Sequence, residues 1–336
     1  MRTLNELHEI LSAPDDAVVK SIAEGSGDLI LLGVGGKLGP ELAIMARRAM
    51  DAAGRTDKVI GVARSLEPAL ADRLHAAGVE TFKADLLDPL DDLPDAADVI
   101  YLAGRKFGTS GAESTTWALN TYLPGRVCER YPTARTVAFS TGNVYPLVAV
   151  TSGGADESTP PGPIGEYAMS CLGRERIFEH FSRTNGTPTA IVRLNYAVEM
   201  RYGVLLEIAK AVRAGLSIDL AMGNVNVIWQ GDVNSMTLRL LEHCAAPALV
   251  INAAGPETVS VRWVAEQFGA LLGRKPIFTG EERPTALLSN GTRGHDLFGY
   301  PSLPVRTLIE HTAEWVLAKG AVHGKDSHFQ QRDGRF

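Results

Sequence analysis

The sequence contains few cysteines, no apolar run of membrane-spanning length and no surplus of positive charge. Its three cysteines, Cys128, Cys171 and Cys244, are far apart and lack metal-ligand spacing, so we predict no metal site and expect reduced thiols, as in a cytoplasm. No apolar stretch reaches the ~20 residues that cross a bilayer, and the charged N-terminal residues do not resemble a secretory signal, so no membrane partner is expected. The net charge of -6 argues against nucleic acid as a partner.

The first motif lies in the range Asp28–Arg48. The apolar run Leu29–Leu32 predicts a buried strand, and a segment with apolar residues at helical spacing follows it. Between them, Gly33, Gly36 and Gly39 fall three apart. In a dinucleotide-binding turn, the first glycine permits the sharp turn, the second lets the backbone approach a pyrophosphate, and the third lets the helix pack close to the sheet. The alternative is a glycine-rich turn without a ligand, but the order of strand, glycines and helix favours nucleotide binding.

Further strands and helices alternate along the chain. Apolar runs predict strands over residues 58–64, 79–83, 98–102 and 136–141, with helices between them. This alternation predicts an α/β fold, a Rossmann-type doubly wound parallel sheet. Ligands bind at the carboxyl ends of the strands in such a sheet. The predicted cofactor contacts at these ends and in the glycine turn are Gly33, Gly36, Lys37, Leu38, Gly39, Arg64, Asp85, Leu86, Ala103 and Gly104.

The end of the second strand bears on the identity of the cofactor. An acidic residue at this place binds the ribose hydroxyls of NAD, but here Ala63 is followed by Arg64. Without a carboxylate, nothing repels a 2′-phosphate, and a guanidinium can pair with it. We therefore favour NADP(H) and keep NAD(H) as the alternative. The competing interpretation of Arg64 is a solvated charge that follows a strand.

Several passages resemble the NAD-dependent epimerase/dehydratase family, the extended branch of the short-chain dehydrogenases/reductases. The glycine turn reads GVGGKLG, a later strand reads DVIYLAG, and the next strand and its loop read FSTGNVYP. The segment ADESTPPGPIGEYAMSCLGRERIFE resembles the family's Tyr-x-x-x-Lys helix and the residues before it. The resemblance spans residues 28–320. It implies a Rossmann domain at 28–195 with parts of 225–255, and a small C-terminal substrate lobe mainly at 196–320.

The two ends of the chain lie outside this resemblance. Residues 1–27 are predicted to form a helical extension, with a short amphipathic helix that ends near Pro14. Residues 321–336 form a polar tail that we expect to be loosely ordered, with the folding back of His323 or Arg332 over the cleft or onto a neighbour as the alternative. The resemblance also implies a homodimer, with residues 120–131 and 167–184 supplying the two helices of the interface.

The resemblance implies catalytic roles for two hydroxyl groups. Thr141 matches the hydroxyl that holds the substrate oxygen, and Tyr167 matches the acid/base that exchanges a proton with it. A free phenol has a pKa of ~10, and the family's lysine one helical turn later lowers it and binds the nicotinamide ribose. Cys171 stands at the position of that lysine. Arg174, two turns after Tyr167, either reaches toward the site or is an ordinary surface charge, and we favour the surface charge.

The resemblance also bears on the substrate. Relatives that use sugar nucleotides have an arginine for the diphosphate, and here Val225 stands at this place in a stretch without a cation. We therefore expect a smaller carbohydrate-like substrate, such as a free sugar, a sugar acid or a polyol. The candidate substrate contacts are Asn143, Tyr196, Arg201 and Trp229, of which Trp229 is more typical of a core residue. The remaining candidates for cofactor contacts are Asn120, Cys171 and Asn195.

Two classes of function are compatible with these residues. The first is an NAD(P)-dependent oxidoreductase or epimerase that transfers hydride at a carbinol carbon, with Thr141 and Tyr167 as its catalytic residues. The second is a cofactor-binding protein without this chemistry, such as a redox sensor or a scaffold, which the missing lysine supports. Because Thr141 and Tyr167 occur together with their loops, we favour the enzyme.

Overall fold

The secondary structure follows the predicted alternation of strands and helices. The computed structural model describes residues 2–106, 108 and 111–335. The helices are α1 (Leu4–Ser12), α2 (Asp16–Ala23), α3 (Gly39–Ala52), α4 (Pro68–Ala76), α5 (Glu113–Trp117), α6 (Leu123–Arg130), α7 (Gly165–Asn185), α8 (Val204–Ala214), α9 (Gln230–Arg239), α10 (Val261–Leu272), α11 (Thr292–Phe298) and α12 (Val305–Leu317). The strands are β1 (Leu29–Leu32), β2 (Val59–Ala63), β3 (Glu80–Lys83), β4 (Asp98–Tyr101), β5 (Arg135–Thr141), β6 (Val148–Ala149), β7 (Thr189–Leu194), β8 (Ala197–Val198), β9 (Ser217–Asp219), β10 (Asn224–Val225), β11 (Ile228–Trp229), β12 (Leu249–Ala253), β13 (Val259–Ser260), β14 (Ile277–Thr279) and β15 (Thr285–Ala286).

The central sheet of the described chain has seven strands in the order β12-β7-β5-β4-β1-β2-β3. All its pairings are parallel. The strand order reverses between β1 and β4, and in a doubly wound sheet ligands bind at the carboxyl ends of the strands beside such a switch. This architecture confirms the predicted Rossmann-type fold.

Both faces of the sheet are apolar and covered. Along β1, Leu29 and Leu31 belong to one hydrophobic cluster, whereas Ile30 and Leu32 belong to another. Successive side chains of a strand point to opposite faces, so a strand buried on both sides is a continuous apolar run. The run that predicted β1 is therefore explained by helices on both faces of the sheet.

A third hydrophobic cluster lies in the C-terminal part of the chain, where α8, α10 and α12 pack together. The N-terminal extension contacts both this cluster and the sheet. Leu7 and Leu11 of α1 are buried in the C-terminal cluster, whereas Val18 and Ile22 of α2 are buried in a cluster of the sheet. The sequence predicted α1 but not α2, whose helix begins at a cap in which Asp15 accepts a hydrogen bond from the Val18 amide.

The tail is packed on the molecule, and the expectation that it is loosely ordered is wrong. Phe329 is 1% exposed and belongs to the C-terminal cluster. The Arg332 guanidinium donates to the Thr285 carbonyl and hydroxyl oxygens at 2.7 Å. Burial of one aromatic side chain stabilises a structure by about 1.5–3 kcal/mol, which offsets the entropy lost by a few tail residues. Within the described residues, no helix has both the length and the apolar character needed to cross a bilayer.

Candidate active site

A cavity of about 600 Å³ lies where the carboxyl ends of the strands meet the C-terminal part of the chain. A second cavity of about 210 Å³ shares the glycine turn and Tyr167 with it. The predicted site residues that line the larger cavity are Gly36, Lys37, Leu38, Gly104, Thr141, Asn143, Tyr167, Asn195, Tyr196 and Arg201. The structure thus brings together residues from six separate stretches of the chain.

The glycine turn has the geometry that a dinucleotide requires. Gly33 has a φ of 99°, and a Cβ there would lie 2.9 Å from the Ala103 amide nitrogen, so β1 and β4 approach closely at this point. A Cβ on Gly39 would clash with the Val34 carbonyl, which explains the third glycine. Among the described residues no side chain caps α3 at Leu38, so its first N–H groups remain available for an anion. These residues fit the pyrophosphate of a nicotinamide dinucleotide.

The residues after β2 and β3 lie at an exposed end of this cleft. The Arg64 side chain is 71% exposed, and its Nη1 lies 3.8 Å from Oδ2 of Asp85. The Asp85 carboxylate also accepts a hydrogen bond from the Leu87 amide at 3.0 Å. Leu86 is buried in a cluster of the sheet, so the predicted cofactor contact at Leu86 would be made by its backbone. The preference for NADP(H) that Arg64 suggests stays a prediction.

The two predicted catalytic hydroxyls are neighbours. Thr141 ends β5, and its Oγ1 accepts hydrogen bonds from the backbone and side-chain nitrogens of Asn143 at 3.2 and 3.0 Å. Tyr167 lies in the first turn of α7 and is hydrogen-bonded to the Thr141 hydroxyl. Burial raises the pKa of Tyr167 above its ordinary value, and the nearby Cys171 raises it further. The Arg174 guanidinium and the Thr141 hydrogen bond act in the opposite direction.

Cys171 lies behind Tyr167 and does not line either cavity. Its side chain is 0% exposed and packs with Val144, Tyr145 and Ala155. Burial raises the pKa of the thiol, so it is neutral near pH 7 and a poor nucleophile. The predicted contact between Cys171 and the cofactor is therefore wrong, because the helix turns this side chain into an apolar cluster.

Arg174 is buried, and our preference for a surface charge is wrong. It is 6% exposed, and its Nη1 and Nη2 donate to the Phe139 carbonyl and to Oδ1 of Asn120, both at 2.8 Å. Asn120 also accepts from the Arg105 amide at 2.8 Å and donates to the Ser170 hydroxyl at 2.9 Å. The Asn120 amide is used by these protein groups and holds Arg174 in place. Asn120 lines neither cavity, contrary to the predicted cofactor contact.

The predicted substrate contacts differ in their environments. Trp229 is 2% exposed in the C-terminal cluster and does not line the cavity, so its role as a substrate contact is corrected to that of a core residue. The Tyr196 hydroxyl donates to the Phe329 carbonyl at 3.4 Å, which links the cavity wall to the tail. Asn195 donates to Oδ1 of Asn226 at 2.7 Å. Arg193, at the end of β7, pairs with the buried Glu175 at 2.7 Å.

Arg201 belongs to a buried group of charges beside the cavity. It lies 3.1 Å from Glu199 and 3.5 Å from Glu41, the acidic residue in the first turn of α3. His8 of the N-terminal extension lies 3.6 Å from Glu41, and His323 of the tail lies 3.2 Å from Glu199. Both ends of the chain are therefore tied to the cavity wall through ionisable side chains.

Sequence reasoning missed two lysines that line the larger cavity. Lys106, in the loop after β4, has its Nζ 5.9 Å from the ring centroid of Tyr167 and donates to the Ser327 carbonyl at 3.1 Å. Burial lowers the pKa of Lys106 to about 8. Lys325, in the tail, lines the larger cavity together with Ser327. Lys106 follows the DVIYLAG strand end by only two residues, and this proximity to a ligand-binding edge was the signal available in the sequence.

Lys37, within the predicted cofactor turn, has an unexpected partner. Its Nζ lies 3.0 Å from the ring centroid of Tyr202. Burial lowers the pKa of Lys37 to about 7, and the positive charges of Lys106 and Lys325 add to this effect. The inner part of the cavity is thus rich in ammonium groups, which suits an anionic ligand such as a pyrophosphate.

Comparison with known sequences identifies the family. The model of the NAD dependent epimerase/dehydratase family matches residues 29–200, about half of the chain. The chain therefore belongs to this family of enzymes, as the motifs predicted. No curated protein sequence matches the chain.

Solved structures share the fold along most of the chain. MoeE5, solved with UDP-glucose and NAD, is 19% identical with a TM-score of 0.69 over 87% of this chain and 99% of that chain. UDP-glucuronic acid 4-epimerase from Bacillus cereus, solved with NAD, is 17% identical with a TM-score of 0.71 over 88% and 99%. dTDP-glucose 4,6-dehydratase from Bacillus anthracis, solved with NAD, is 16% identical with a TM-score of 0.71 over 87% and 97%. At these identities the likeness establishes the fold.

Proposed function

We propose that the protein is an NAD(P)-dependent oxidoreductase or epimerase that acts at a carbinol carbon of a small carbohydrate-like substrate. The observation that carries this proposal is the pair of hydrogen-bonded hydroxyls, Thr141 and Tyr167, in a cavity that the glycine turn also lines. A hydroxyl that holds the substrate oxygen beside one that exchanges its proton is the arrangement that carbinol oxidation needs. On this proposal, residues 196–320 form the substrate lobe.

The cofactor that fits this site is a nicotinamide dinucleotide, which supplies or accepts the hydride when bound. The Gly36–Leu38 turn and the N-terminus of α3 would hold its pyrophosphate. Arg64 and Asp85 would flank the adenosine ribose, since Arg64 follows β2, the strand beside β1, and Asp85 follows β3, the next strand of the sheet. NAD is the cofactor in the three solved relatives, whereas the exposed Arg64 guanidinium supports a 2′-phosphate and hence NADP(H).

The proposed proton transfer takes place at the phenol oxygen of Tyr167. In the oxidative direction, a Tyr167 phenolate would take the proton of the substrate hydroxyl, and the bound nicotinamide would accept the hydride from the same carbon, so that the C–O bond would become a carbonyl. Thr141 would hold that oxygen throughout, with Asn143 donating to its Oγ1. An epimerase would return the hydride to the other face of the same carbon, with Tyr167 giving the proton back, whereas a dehydrogenase would release reduced cofactor.

A small substrate is supported by the walls of the cavity. Val225, at the place of the diphosphate arginine in nucleotide-sugar relatives, is 0% exposed and belongs to the C-terminal cluster. The tail lines the same cavity through His323, Lys325 and Ser327, and Phe329 anchors it in the core. The solved proteins named above are named for nucleotide sugars or were solved with one bound, so the tail and Val225 are features that would distinguish this chain from them.

The redox-sensor alternative finds no support in the thiol on which it was based. A sensing cysteine needs thiolate character and access to solvent. Cys171 has neither, because it is fully buried and burial raises the pKa of its thiol. A scaffold that binds the cofactor without chemistry remains the alternative to the enzyme.

The first test is a fluorescence titration of the purified protein with NADPH and, separately, with NADH. We expect both nucleotides to bind and NADPH to bind more tightly. Arg64→Ala should weaken NADPH by about 3–10-fold and leave NADH unchanged, because a charged hydrogen bond to a 2′-phosphate at an exposed site contributes on the order of 1 kcal/mol. If neither nucleotide binds, the glycine turn is structural and the enzyme proposal fails.

The second test is Tyr167→Phe, assayed with free sugars, sugar acids, polyols and nucleotide sugars. We expect this variant to lose turnover by about 10²–10⁴-fold while it still binds the nicotinamide cofactor, because general acid–base catalysis contributes about that much. Tyr300→Phe, a change at a tyrosine that is 77% exposed, is the matched control and should be silent. Unchanged turnover in Tyr167→Phe would remove this phenol from the mechanism and leave the scaffold.

We also propose a homodimer in the cytoplasm. Tyr122 and Met169 are exposed apolar residues within residues 120–131 and 167–184, the two ranges predicted to form the interface. All three cysteines are free, as in a reducing compartment. Static light scattering at the mass of a monomer would overturn the dimer.

A further inference from the structure

Helix α7 carries no lysine one turn after Tyr167, yet two cations lie around the phenol. Cys171, at the lysine's place, is buried and its thiol is neutral. Arg174 approaches from the same helix, held by the Phe139 carbonyl and by Asn120. Lys106 approaches from a different element, the loop after β4, with its Nζ 5.9 Å from the ring centroid of Tyr167. The phenol therefore has one cation, Arg174, on its own helix and a second cation, Lys106, on a different element.

Lys106 and Tyr167 line both cavities, whereas Arg174 lines only the smaller one. The Nζ of Lys106 also donates to the Ser327 carbonyl of the tail at 3.1 Å, which holds the ammonium group at the cavity wall. Its negative neighbour is Glu207 of α8, which favours the charged form of the lysine. Because its pKa is about 8, most Lys106 side chains carry a charge at pH 7.

The geometry points to Lys106 as the positioning cation that replaces the electrostatic role of the missing lysine, by stabilising the Tyr167 phenolate from the loop after β4. This inference rests on the proposed function, in which Tyr167 exchanges a proton with the substrate. An opposite charge within ~6 Å favours the ionised form of a phenol, and the attraction is reciprocal, so a Tyr167 phenolate also keeps Lys106 protonated to higher pH.

Other titratable groups near Lys106 and Tyr167 also affect the charges of these two side chains. Tyr167 faces Cys171 and Arg174 on its own helix, and the hydroxyl of Thr141 on β5. Lys106 faces Glu207 of α8, the Cys171 thiol of α7 and the ammonium group of Lys37 in the glycine turn. Arg174 stays charged at all accessible pH, so its own charge does not change during the titration.

The test replaces Tyr167 with 2,3,5-trifluorotyrosine, whose fluorines bring the phenol pKa into a measurable range, and follows its ionisation by absorbance in the protein without substrate. We expect Lys106→Met to lower the phenolate fraction at a fixed pH about tenfold, and Lys106→Arg to preserve it. Cys171→Lys, added to Lys106→Met, should restore ionisation, because it returns a cation to the helix. Lys106→Gln serves if the methionine variant does not fold.

The matched control is Lys325→Met, which removes an exposed lysine that lines the larger cavity but not the smaller one that Lys106 shares with Tyr167. It should leave the phenol titration unchanged. An unchanged titration in folded Lys106→Met would overturn the inference. Binding of NADPH and NADH by the same proteins is measured separately. Absence of binding rejects the proposed function, and the phenol titration still decides the role of Lys106.

Discussion

Two arginines at opposite ends of the cleft show how environment decides what a charge can do. Arg64, after β2, is 71% exposed and its nearest carboxylate lies 3.8 Å away. Arg174, on α7, is 6% exposed and makes short hydrogen bonds to a carbonyl and an amide. The sequence assigned a cofactor role to the first and a surface position to the second. The structure shows that the second is the arginine built into the site.

The two ends differ in how far their charged side chains are exposed to solvent. At the exposed end, water screens the Arg64–Asp85 pair, and such pairs contribute about 0–1 kcal/mol. At the buried end, each charge must be matched by partners, since an unpaired buried charge is costly. The buried end accordingly contains matched groups, including the Arg193–Glu175 pair at 2.7 Å and the Arg174–Asn120 contact at 2.8 Å. Substitutions at the two ends should therefore differ strongly in their effects.

The largest expected effect is from Arg193→Met. Among the described residues, this change leaves the fully buried Glu175 carboxylate with the Ser140 hydroxyl as its one side-chain donor, and it should lower the free energy of unfolding by about 3–5 kcal/mol. Urea unfolding monitored by circular dichroism measures it. The double variant Arg193→Met with Glu175→Leu should recover much of the loss, because it removes both charges. A single variant as stable as the parent protein would contradict the matched-charge account of this end.

A smaller effect should separate the two arginines directly. Arg174→Met leaves the Phe139 carbonyl and Oδ1 of Asn120 without this donor and should destabilise the protein by about 2–4 kcal/mol. Arg64→Met, its matched control at the exposed end, should change stability by no more than ~0.5 kcal/mol. Thermal or urea unfolding of both variants under one set of conditions provides the comparison. Equal losses would show that exposure does not distinguish the two sites.

The smallest effect concerns pH and the charges at the end of the N-terminal helix. Burial lowers the pKa of His8 below its ordinary 6.5, although Glu41 opposes this and Arg73 and Arg201 add to it. The unfolded chain therefore binds this proton at a higher pH than the folded chain, so the contribution of His8 to stability is lost as the pH falls below about 6.5. His8→Gln should lose less stability than the parent between pH 7 and pH 5.

The control for this measurement is His180→Gln, at an exposed histidine of α7. It should follow the parent protein in urea midpoints at both pH values. If His8→Gln and the parent lose stability equally on acidification, proton uptake by His8 does not contribute to the pH dependence.

Whether an expectation was correct depended on how far apart in the sequence the interacting residues lie. Gly33, Gly36 and Gly39 were assigned from spacing because a sharp turn and a close approach are demands on the local backbone. Thr141 and Tyr167 were assigned from passages that resemble the family, and the structure brings them together. Cys171, Asn120 and Trp229 were misassigned because the direction in which a side chain points depends on neighbours that are distant in the sequence.

The sequence by itself determined the class of fold, the cofactor turn and the pair of hydroxyls, because apolar periodicity and glycine spacing record local requirements of strands, helices and turns. Only the tertiary structure decided which charges are buried and what they face. Arg174 meets Asn120 across 54 positions of the chain, and Lys106 meets the tail at Ser327 across 221 positions. No local pattern encodes such contacts, since they arise when separate elements pack against one another and exclude water from the groups between them.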